Sequence, residues 1–227
     1  MNIIEKYDKP FQYGALALNL VMAYQFFMLW YQPTPNDIEK ISSYITLMLF
    51  EFVLVHSGIF MAVMPKKLSL FIFVPFYGIF ALAFNSFSKD NTILILYCFV
   101  ILNRMRFAFS NVPLQIKARV IFNAISSMGI YFVLIFVVLI LQSSIPFLGL
   151  TPAFLNETNF LKNIDATGEF IEKPHVTMCF GFLYYIGLSL VEVYFLRKKP
   201  PEKTIKKFET LKNIKSYKVF KNKERIR

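Results

Sequence analysis

Residues 43–64 read SYITLMLFEFVLVHSGIFMAVM, an apolar stretch that nonetheless carries Glu51 and His56. At about 1.5 Å per residue, a helix of this length covers about 33 Å, enough to cross a bilayer core of about 30 Å. A carboxylate and an imidazole at that depth cost several kcal/mol unless they face the interior of a bundle or a water-filled space. The stretch therefore predicts a membrane span and requires other helices around it.

The rest of the chain has the composition for such a bundle. Of 227 residues, 56% are hydrophobic and only 17% charged, with 27 phenylalanines, where soluble domains carry about 25% charged residues. Cys98 and Cys179 lie in apolar runs without metal-ligand or disulfide spacing, so both are expected to be buried free thiols. The sequence predicts an all-α integral membrane protein with spans at 13–31, 43–64, 68–87, 92–109, 119–142 and 176–196, forming a domain over 1–196 and followed by a tail at 197–227. The first run is longer than a secretory h-region and lacks a cleavage pattern, which makes it an uncleaved span. Pro33 and Pro35 break the chain after it, with Asn36 or Asp37 as the expected cap of the second. Pro75 is expected to kink the third span. The fourth reaches membrane length only if its helix continues past Arg104 and Arg106. Residues 143–174 form a longer polar loop before the sixth.

Alternating loops differ in basic content, which orients the six spans. Lys66 and Lys67, then Arg104, Arg106, Lys117 and Arg119, then the tail mark one side, whereas Lys40, Lys89, and Lys162 with Lys173 are sparse for the lengths of their loops. The positive-inside rule places both termini in the cytoplasm. The tail holds 13 Lys/Arg against three acids, a net +10 of the chain's +11. Arg197, Lys198, Lys199, Lys206 and Lys207 are its candidates for contact with anionic lipid headgroups, each worth about 1 kcal/mol near a charged surface, or with a cytoplasmic protein partner. Its aromatics are too sparse for a nucleic-acid reader.

Inside the bundle the helical period separates the two ionisable residues. Val55, Gly58 and Ala62 fall within about 40° of Glu51, and Gly58 with Ala62 makes a small-xxx-small face for close helix approach; His56 points about 140° away. Depth reckoned from the span edges sets Glu51 level with Gln25, and His56 with Asn19, Arg104, Ser126 and Ser127, above Arg106, Asn123 and Glu192. Glu192 is expected to pair with Arg104 or Arg106. For that pair charge neutralisation competes with a substrate contact, and for His56 an interhelical hydrogen bond competes with a proton or ligand role. Glu51 stands evenly between structure and function.

The segment VHSGIFMAV, residues 55–63, is similar to a His-x-Gly-x-Phe run in a span of an uncharacterised family of bacterial polytopic membrane proteins, with Ser57 where an aromatic is expected. The resemblance implies a bacterial inner membrane and carries no activity with it. No phosphate-binding loop, metalloprotease helix or nucleophile elbow is present, and His56 and His175 lie about 19 Å apart in depth, too far for a shared haem. No metal or cofactor is expected. The sequence points to a non-catalytic inner-membrane component, an anchor, assembly or regulatory subunit that could self-associate. The alternative is a small transporter or channel-like protein with a polar path through Glu51, His56 and Arg104.

Overall fold

The computed structural model describes residues 8–63, 69–86, 91, 93–95, 97–98, 114–163 and 167–197. Among them there are helices and turns and no strand. Helix α1 (Asp8–Tyr31) is already helical five residues before the expected span, at the first described residue. Helix α2 (Ile38–Val63) also starts early. The expected cap at Asn36 or Asp37 is replaced by a closure at Thr34, whose amide and hydroxyl donate to the Asp37 carboxylate at 2.9 and 2.7 Å. The Pro35–Asp37 turn then feeds directly into α2.

A π-helical turn, Ser69–Phe73, precedes α3 (Val74–Asn85). Pro75, expected to kink the third span, lies at the second position of α3, directly after the π-helical turn. Of the expected fourth span, residues 93–95 and 97–98 are described. Ile93 and Tyr97 are buried beside Phe50 and Ala81, and the Tyr97 hydroxyl donates to the Val74 carbonyl. Cys98 is exposed, unlike the buried Cys179. Helix α4 (Leu114–Ile140) and the last helix complete the core.

Among the described residues three helices are long and apolar enough to cross a membrane: Asp8–Tyr31, Ala118–Ile140 and Pro174–Arg197. In the second, only 11% of the apolar window is buried within the protein, and Val133, Phe136 and Ile140 are 62%, 62% and 79% exposed. Such an apolar outer face is a liability in water and is the surface lipid requires.

The polar loop expected at 143–174 contains, in its described residues, short helices and packed side chains. Two short helices, α5 (Pro152–Glu157) and α6 (Glu169–Glu172), lead to α7 (Pro174–Arg197). Trp30 donates its indole N–H to the Pro146 carbonyl at 2.9 Å, and Gly149 returns its amide to the Trp30 carbonyl at 3.0 Å. A Cβ on Gly149 would meet the Pro33 ring at 2.2 Å, so the approach needs glycine. Leu150 and Phe160 are fully buried, and Thr177 donates to the Phe170 carbonyl. The segment is a packed cap anchored by scattered aromatics, a pattern with no helical period to reveal it.

Helix α7 packs along α1 and against α4, while α2 bridges to α4 and carries α3 on its far side. At the centre, Phe26 meets Tyr44 and Tyr185 at ring centroid distances of 4.8 and 5.6 Å.

Candidate functional site

Glu51 points from α2 into the junction of α1, α4 and α7. Tyr185 donates to its Oε1 at 2.7 Å and Tyr184 to its Oε2 at 3.4 Å. These phenols are 4% and 1% exposed, so neither is in competition with bulk solvent. Beside the carboxylate lies a cavity of about 130 Å³ whose polar lining is Asn19, Glu51, Ser127, Tyr184 and Tyr185, with Leu18, Val55 and Leu188 among its apolar walls. That volume holds about four waters at roughly 30 Å³ each.

Glu51 thus sits with Asn19 and Ser127 rather than level with Gln25. Because α2 begins at Ile38, Glu51 is about 20 Å from the helix start, not the about 12 Å reckoned from residue 43. Gln25 instead accepts from Lys40 Nζ, in the first turn of α2, at 2.6 Å.

Toward the opposite end, α4 presents Arg119, Asn123, Ser127 and Tyr131 at four-residue intervals, about 18 Å in all. Arg119, Asn123 and Tyr131 each meet a different helix, and Ser127 bonds back to α4 itself. Arg119 pairs with Asp8 at 2.6 Å, and Gln12 donates to the same carboxylate at 2.9 Å. The ion pair is largely buried, at 11% side-chain exposure for each partner. Asn123 donates to Glu192 Oε1 at 3.0 Å, while its own Oδ1 is buried without a partner among the described residues. The Ser127 hydroxyl donates back to the Asn123 carbonyl at 2.8 Å. Tyr131 donates to the Met48 carbonyl of α2 at 2.9 Å.

Of the residues singled out from sequence, Glu51 and Asn19 meet at the cavity, and Asn123 and Glu192 meet one step below it. Arg104 and Arg106, expected beside Glu192, lie outside the described residues, as do the side-chain surroundings of His56, Gly58 and Ala62 and the tail cations Lys198, Lys199, Lys206 and Lys207. Arg197 is exposed at the end of α7, where a cation complements the helix dipole. His175 stands in the first turn of α7, its ring 4.3 Å from that of Phe147. Among the described residues no three potential metal ligands cluster.

Sequence reasoning missed Tyr184, Tyr185 and Tyr131 as partners of the polar groups, and Asp8 with Gln12 as partners at the Arg119 end of α4. Two signals were available. The tyrosine doublet interrupts an otherwise apolar run, and the four-residue spacing from Arg119 to Tyr131 places polar groups on neighbouring turns of one helix. No protein-family model, curated protein or solved structure matches the chain.

Proposed function

We propose that the chain is a non-catalytic component of a bacterial inner membrane, an anchor, assembly or regulatory subunit of six spans with both termini in the cytoplasm. Its basic tail, 197–227, contacts anionic lipid or a cytoplasmic protein partner. The observation that carries this reading is the use made of the polar side chains in the bundle. Asp8 with Arg119, Asn123 with Glu192, Tyr131 with the Met48 carbonyl, and Glu51 with Tyr184 and Tyr185 each join two different helices. Polar pairs of this kind fix helix register in lipid, where apolar packing alone discriminates weakly. The cavity at Glu51, at about 130 Å³, is also well below the 300–1,000 Å³ that organic ligands occupy.

Affinity purification in mild detergent, with the full chain beside a truncation lacking residues 201–227, tests the reading. A cytoplasmic protein or anionic lipid that co-purifies with the full chain and is lost on truncation supports it. Equal recovery from both overturns tail recruitment.

A second reading is favoured by the cavity itself, since a carboxylate next to water-sized space is what a small transporter or channel needs. In that case the path would run through Glu51, His56 and Arg104. Ion or proton flux into protein-containing liposomes, abolished by Glu51→Gln, would favour it over the subunit reading, and the absence of flux would end it.

A further inference from the structure

We propose that the turn at 146–149 anchors the protein to the bilayer, with Phe147 and Leu148 inserted among lipid chains just below the headgroups at that end of the bundle. The chain leaves α4 at Ile140 and then folds back beside the last turn of α1. There Trp30 donates to the Pro146 carbonyl at 2.9 Å, and Gly149 donates to the Trp30 carbonyl at 3.0 Å. The Phe147 ring rests against His175 in the first turn of α7. The turn is therefore level with the ends of two helices that are long and apolar enough to cross a membrane. At that level Phe147 and Leu148 are 45% and 39% exposed, and no charged residue occurs at positions 120–156.

The backbone adds an independent sign. Leu148 has a φ of 49°, a left-handed conformation that a leucine Cβ disfavours and that glycine or asparagine enters readily. The fold leaves its side chain exposed, so a strained position carries a large apolar group that faces outward. Such a combination points to an interaction outside the chain. Lipid is the occupant that fits. The apolar tip follows the exposed Ser143 and Ser144, a polar-to-apolar step that matches the interfacial region, where apolar groups settle about 5–10 Å into the boundary between headgroups and chains. The turn also continues a surface already suited to lipid, since Ile140 and Leu141, both exposed, end the apolar face of α4. The inference depends on the membrane character of the helices and not on the subunit reading; it holds equally for a transporter.

Trp30 is the only tryptophan of the chain, so a tryptophan placed at the tip adds an emission signal that can be read over the parent. The full chain carrying Phe147→Trp or Leu148→Trp is reconstituted in phosphatidylcholine vesicles whose chains are brominated next to the headgroup, and in plain vesicles with iodide on both sides. Ile140→Trp sets the lipid response, and Glu157→Trp, at an exposed position of α5, sets the water response. The emission added by either tip variant is expected to be lost to bromolipid as fully as that of Ile140→Trp, to resist iodide, and to lie at shorter wavelength than that of Glu157→Trp. Quenching by iodide and not by bromolipid overturns the inference. Silence toward both quenchers assigns the tip to a second copy or another protein and also overturns it. If Ile140→Trp responds to bromolipid while the tip variants do not, the membrane reading stands and the anchor alone falls. Should Phe147→Trp fail to fold, Leu148→Trp decides alone.

Discussion

Glu51 is tolerable in the bundle because two buried phenols donate to its two oxygens. The sequence reveals that a polar partner is needed and on which face, since Val55 shares the cavity with Glu51. It does not reveal that the partners are tyrosines 133 and 134 positions away. Side-chain pairing across distant helices leaves no local periodicity. The tyrosines are brought within reach by Gly181 on the same helix, where a Cβ would stand 2.3 Å from the Phe26 ring. Gly181→Ala is therefore expected to push α7 from α1 and to cost about 1–3 kcal/mol, the usual price of overpacking a filled core. Unfolding in a graded detergent mixture measures it; a variant as stable as the parent would show that the ring moves freely and that α1 and α7 are not closely apposed there.

Helix boundaries were the least legible feature, and the errors share one cause. The apolar window begins α1 at residue 13 and α2 at residue 43, whereas α1 is already helical at Asp8, the first described residue, and α2 begins at Ile38. Asp8 of α1 is held by Arg119, and Asp37, in the turn just before α2, is held by Thr34, contacts that hydropathy cannot register. For the first contact this has an energetic consequence. Arg119→Ala leaves Asp8, 8% exposed, without its cation and is expected to cost about 3 kcal/mol. The double variant Asp8→Asn with Arg119→Ala should lose about 1–3 kcal/mol less than the sum of the single changes. Strict additivity in that cycle would mean that the pair does not join α1 to α4. The cap at 141–173 was hidden for a related reason: Trp30, Leu150 and Phe160 anchor it one at a time.

At the scale of the whole molecule, membrane character was the most legible property, because it depends on the length and composition of each run and not on where its partners lie. Among the described residues three helices meet the length and apolarity a span needs, and α4 exposes Phe122, Ile125, Val133, Phe136 and Ile140 on its outer face. The six-span count and the orientation rest on the alternation of basic loops. Insertion of a reporter after Asn159, within the cap, and fusion of the same reporter after Arg227 test them most directly. The account predicts an external reading after Asn159 and a cytoplasmic reading after Arg227. The same side for both, or an external C-terminus, would contradict it.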